Sequence, residues 1–159
     1  MRFNARTIIL LVLMTLNTVS ISKEPHIVTW QMLGQMNYDT GEMPPEIKKL
    51  NQQSIRISGF IVPLEMDEYA NEVQEFLLVP DPLACIHVPP PPPNQLIYVV
   101  MNQKIPVDMD YRGVEIVGVL NFAMADGIHG YEMTGLSARE STIEYEDPLL
   151  EILNIDIDE

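Results

Sequence analysis

Residues 54–63 read Ser-Ile-Arg-Ile-Ser-Gly-Phe-Ile-Val-Pro. Ile55, Ile57, Gly59 and Ile61 alternate with Arg56, Ser58, Phe60 and Val62. Period-two patterning rich in β-branched residues specifies a strand that divides its side chains between two faces. Gly59 inside the run marks a bend or bulge. Pro63, which has no N–H for a ladder, ends it. Downstream, the polar stretch 66–74 (MDEYANEVQ) reads as a turn, followed by a second strand at 75–80 (EFLLVP). A third strand is expected at 95–101 (QLIYVVM) and a fourth at 112–122 (RGVEIVGVLNF), with Gly118 at its middle. Residues 125–130 (ADGIHG) form the turn before a fifth strand at 131–142, which contains Gly135. Short strands with interior glycines and little helix predict a mainly β fold, a small five-stranded OB-like barrel with short peripheral helices. A β-sandwich is the second choice.

Upstream of residue 54 the pattern is mixed. A short element is expected near Trp30, then a Gly/Asn/Asp/Pro-rich loop, then one helical turn in EIKKL (46–50) introduced by Pro44 and Pro45. Residues 1–22 read as a secretory signal: Arg2 and Arg6 precede an apolar run from Thr7 to Leu16, and Ser20 and Ser22 form a small-residue cleavage site. The run is shorter than the ~20 residues of a membrane span. The expected organisation is signal peptide 1–22, N-terminal extension 23–53, OB-like β domain 54–143 and acidic tail 144–159. The expected location is periplasmic or secreted, with no stable membrane span once the signal is removed.

The chain carries 9 Lys+Arg against 23 Asp+Glu, a net charge of −14 over 159 residues. Loss of the signal removes two arginines and no acids and deepens that balance to −16. Nucleic acid is excluded as a partner, because phosphate contacts need clustered Lys and Arg. No phosphate loop, dinucleotide fingerprint, Gly-x-Ser-x-Gly or His-Glu-x-x-His occurs. The methionines, ten in the chain, form no Met-x-x-Met cluster after the signal, so they read as packing residues.

The chemistry concentrates at 84–95, Ala-Cys-Ile-His-Val-Pro-Pro-Pro-Pro-Pro-Asn-Gln. Cys85 is the only cysteine, so no intrachain disulfide forms. In extended backbone residues i and i+2 face the same side, which would present the Cys85 sulfur and the His87 imidazole together. Both are ligands suited to zinc, favoured here, or copper, next. A third ligand would come from elsewhere, such as His129, His26, Asp81, another carboxylate, a methionine or a second chain. The same pair serves alternatively as a thiol and its base. Against that reading, their Cβ separation of about 7 Å is long for a hydrogen bond, and no orienting Asp or Asn is identifiable, so the chain is expected not to be an enzyme. Pro89 to Pro93 form a polyproline II rod of about 15 Å. Such a rod either braces the Cys/His loop or docks on a partner's groove. Asn94 and Gln95 supply amides that cap the loop or hydrogen-bond a ligand.

These segments together resemble a family of bacterial exported proteins classified only as a domain of unknown function, with an A-C-I-H-V-P-P-P-P-x-N-Q signature. The resemblance covers residues 29–143 and rests on Cys85, His87, Pro89, Pro90, Pro91, Pro92, Asn94 and Gln95. An aromatic-Gly pair often precedes the family's signature, whereas Pro82-Leu83 stands here. The resemblance implies a periplasmic setting and an OB-like core. Through zinc-regulated transport genes associated with some members, it also implies a role in metal supply or envelope transport. Two functions follow as expectations: a metal-binding or metal-transport accessory protein using Cys85 and His87, or a non-enzymatic module whose proline loop docks on an envelope transporter or other periplasmic protein, with Cys85 structural.

Overall fold

The computed structural model describes residues 24–64, 71–81, 91–106 and 113–141. In chain order the elements are β1 (His26–Ile27), α1 (Trp30–Leu33), α2 (Pro45–Lys48), β2 (Gln53–Pro63), β3 (Glu72–Val79), a 3₁₀ turn (Pro93–Gln95), β4 (Ile97–Pro106), β5 (Val114–Ala125) and β6 (Ile128–Glu140). The class is mainly β, as the alternation predicts.

Five of the strands form a closed circuit of pairings, β2-β3-β4-β6-β5 and back to β2. Within it only β4 and β6 run parallel. Strand β2 makes closure possible by changing partner along its length. Its Gln53–Gly59 half pairs with β5 and its Phe60–Pro63 end pairs with β3. The change falls at Gly59, where a Cβ would lie 2.6 Å from the Val79 carbonyl oxygen. The two backbones approach too closely there for any side chain.

Alternation carries through to burial. In β2, Ile55, Ile57 and Ile61 are buried; in β4, Ile97, Val99 and Met101; in β5, Val114, Ile116 and Leu120. With Phe76, Leu78, Tyr131 and Met133 they form one hydrophobic cluster. The outward residues of the same strands are half-buried or exposed, the expected division for a sheet with one face on the core. The turn expected at 125–130 is shorter than its sequence suggests. Only Asp126 and Gly127 separate β5 from β6, with φ of 52° and 81°. Asp-Gly with both residues at positive φ is the two-residue hairpin turn whose twist matches that of the strands. Strand pairing therefore continues to Ala125 and Ile128.

Residues 24–53, expected as an extension, contribute directly to this cluster: Val28, Leu33, Met36, Ile47 and Leu50 are all buried in it. Strand β1 adds a sixth strand beside β2, pairing His26 with Ile55 and Ile27 with Arg56. Helix α1 starts on Thr29, whose hydroxyl accepts from the Met32 N–H at 3.3 Å, a standard N-cap. The helical turn expected in EIKKL is α2, with proline at its first position.

Candidate functional site

Helix α1 has four residues, and backbone N–H groups just after it serve three of its carbonyls: Gly34 donates to Trp30 at 2.9 Å, Gln35 to Met32 at 3.1 Å and Met36 to Leu33 at 3.2 Å. A carbonyl has two lone pairs, and side chains supply further donors to the carbonyls of Trp30, Leu33, Gly34 and Met36. The proline run cannot donate from its backbone, because proline has no N–H. The donors come instead from the two amide side chains that follow it. Asn94 Nδ2 donates to the Gly34 carbonyl at 3.1 Å and to the Met36 carbonyl at 2.8 Å. Gln95 Nε2 donates to the Trp30 carbonyl at 3.1 Å and to the Asn94 carbonyl at 3.0 Å. From the opposite side, the Tyr131 hydroxyl donates to the Leu33 carbonyl at 2.8 Å. Burial pushes the Tyr131 hydroxyl pKa well above its ordinary value. Trp30 Nε1 closes the set by donating to the Ser58 carbonyl at 2.7 Å, tying α1 to β2.

Asn94 is 9% exposed, one of the few buried polar residues. Its backbone sits in the 3₁₀ turn, closed by the Gln95 N–H on the Pro92 carbonyl at 2.7 Å. Gly34 makes the fit possible through space rather than backbone freedom: its φ is −60°, yet a Cβ there would lie 2.7 Å from Gln95 Nε2. The two amides of the expected binding loop thus act as a clamp on α1. Pro91 is half-buried and Pro92 exposed beside it. Cys85, His87, Pro89 and Pro90 lie outside the described residues.

The other candidates are dispersed. His129 is a half-buried β6 residue rather than part of the turn, with its N–H on the Tyr38 carbonyl at 2.7 Å and its imidazole against Gly41. His26 is exposed in β1. Among the described residues no group of three or more His, Cys, Asp or Glu is gathered as a metal centre. No helix among the described residues is long and apolar enough to cross a membrane. Trp30, Gly34 and Tyr131 were not singled out as site residues from the sequence. The signal for Trp30 and Gly34 was a short apolar run, WQML, ending on a glycine, and it acquires meaning only once Asn94 and Gln95 are seen beside it, while Tyr131 sat unmarked in a strand.

Elsewhere on the ring, Glu115 accepts from Arg139 Nε at 2.8 Å and lies 2.7 Å from Arg139 Nη2. Arg56 Nε is 3.4 Å from the same carboxylate oxygen, within ion-pair range but without hydrogen-bond geometry. These charges are partly solvated and read as a strand-pairing feature. On the outer face, the Tyr98 hydroxyl donates to Glu75 Oε2 at 2.8 Å, and that hydrogen bond raises the tyrosine pKa.

A ring of strands, with the Asn94 and Gln95 amides tied to the backbone of residues 30–36, defines a small mainly β protein. The chain belongs to the family described as "protein of unknown function (DUF3299)", whose family model matches residues 22–140. It is also similar to the crystal structure of a DUF3299 family protein from Pseudomonas aeruginosa PAO1, with 27% identity and a TM-score of 0.58, covering 79% of this chain and 100% of that one. No curated protein gives a significant match.

Proposed function

We propose that this chain is an exported, non-enzymatic binding protein that presents its proline-rich segment to another protein of the bacterial envelope. The observation that supports it is the clamp: Asn94 and Gln95 commit their amide donors to the carbonyls of Trp30, Gly34 and Met36, in and just after α1, which anchors the end of the run to that segment. A polyproline segment loses little conformational entropy on binding, and a fixed root lowers that cost further. The negative charge of the chain keeps it from anionic lipid and nucleic acid. The test is in-cell cross-linking of the full-length chain. A partner captured by the wild type should be lost when Pro89, Pro90, Pro91 and Pro92 are replaced by serine, and retained when exposed Glu46 is replaced by lysine. Capture unchanged by the serine replacements overturns the reading.

The Cys85-x-His87 spacing favours a second reading, ligation of zinc or copper for a transport partner. Titration of the untagged mature protein with Zn²⁺ and Cu⁺ tests it. Submicromolar binding lost in both Cys85→Ser and His87→Ala supports the reading, and binding equal in all three proteins refutes it.

A further inference from the structure

The outer face of β4, β6 and β5 carries a groove of about 370 Å³ near the hairpin tip. Its apolar lining includes Leu96, Tyr98, Ala123 and Ile128, and its charged lining is Asp126 and Glu132. We propose that this groove docks an extended segment of a partner protein in which an apolar side chain is flanked by lysine or arginine.

The depth follows from the sheet register. Ala123 pairs with Gly130 across β5 and β6, so two small residues sit side by side. They leave space between Tyr98 on one side and Ile128, 46% exposed, on the other. A large apolar side chain entering that space covers surface that water now touches, the usual core of a small interface. The charge of the occupant follows from the rim. Among the described residues no lysine or arginine lines the groove, whereas Asp126 and Glu132 do. Glu75 adds a third carboxylate, held beside the groove by Tyr98. Carboxylates around an apolar centre select a cationic segment and repel an acidic one, including a second copy of this chain, which carries −14. Pro93 lines the same groove, so its wall continues into the proline-rich segment. The inference rests on the reading of the chain as a binding module, but not on the proline run being the contact.

The test is a titration of the ¹⁵N-labelled full-length mature protein with a nonapeptide of alternating arginine and valine, and with its glutamate–valine counterpart. The expected result is saturable binding of the cationic peptide alone, with amide shifts concentrated at Tyr98, Ala123 and Gly130. Asp126→Lys combined with Glu132→Lys should weaken it about tenfold or more by reversing the rim charge. Glu46→Lys combined with Glu140→Lys, which makes the same change in net charge away from the groove, should leave it within about twofold. Equal weakening by both pairs means general attraction only and overturns the proposal. Shifts centred elsewhere, or binding of the acidic peptide, overturn it as well. Self-association in sedimentation that is abolished by the Asp126/Glu132 reversal assigns the groove to a second copy and refutes it. The Pro89–Pro92 serine variant should bind the peptide like the wild type, which separates failure of this inference from failure of the loop reading.

Discussion

Replacement of Asn94 by alanine removes the donor that serves two carbonyls, in a buried contact at Met36 and a part-buried one at Gly34. Each such hydrogen bond contributes about 1–1.5 kcal/mol net, and the Met36 carbonyl is left buried without its donor. The expected loss is therefore about 2–3 kcal/mol, a large share of the 5–15 kcal/mol that holds a typical domain folded. For a chain of this size that corresponds to a fall in Tm of roughly 6–12 °C. Trp30, the only tryptophan, is a suitable reporter, because its own carbonyl is held by Gln95 and its indole by Ser58. Urea unfolding followed by its fluorescence gives the loss directly. Asn94→Asp is the sharper control: it keeps the shape but replaces the donor with a second acceptor facing two carbonyls. It should be at least as damaging as the alanine at neutral pH. Asn94→Ala costing under about 0.5 kcal/mol would refute the clamp, where loss of both hydrogen bonds requires more. Asn94→Asp more stable than Asn94→Ala would refute it too.

Gly34→Ala places a Cβ against Gln95 Nε2 and should displace that side chain, costing about 1 kcal/mol in urea unfolding. Gly59→Ala meets the Val79 carbonyl, a backbone atom that cannot swing away, and should cost about 1–3 kcal/mol in the same measurement. Tyr131 has its folded-state pKa raised by burial, so its stabilising contribution is complete below the unfolded value of about 10 and declines as pH rises beyond it. Stability measured from pH 8 to 11 should fall at the alkaline end, and Tyr131→Phe should flatten that fall while lowering stability at neutral pH by about 1 kcal/mol. Glu115→Gln weakens contacts that are partly solvated, so it should cost no more than about 1 kcal/mol, an effect that shrinks in 1 M salt.

The strands were legible in the sequence because a half-buried strand records its two faces as alternation. Ile55, Ile57 and Ile61 name the core side of β2 before any partner is known. Boundaries were less legible where pairing outlasts the pattern. Strand β6 begins at Ile128 instead of residue 131 because the Asp126-Gly127 turn needs only two residues. Strand β4 runs on to Pro106 through the polar Asn102, Gln103 and Lys104. Strand β1 was invisible, since two exposed residues carry no period.

In the candidate site the sequence drew attention to Asn94 and Gln95 but not to the role of their amides. Adjacent Asn and Gln are compatible with a ligand, a cap or a clamp, and the choice depends on which carbonyls lie opposite. Those carbonyls belong to residues some 60 positions earlier in the chain. The sequence by itself determined the mainly β class, the inward residues of the strands, the acidic charge and the uncommon Cys-x-His-Pro-rich segment, all consequences of local periodicity and composition. Only the tertiary structure decided that β2 changes partner at Gly59 to close the circuit, that residues 24–53 complete the core, and that Asn94 and Gln95 grip α1. Each of these is a contact between distant segments, made wherever buried backbone groups find their donors, and no local pattern in the chain records it.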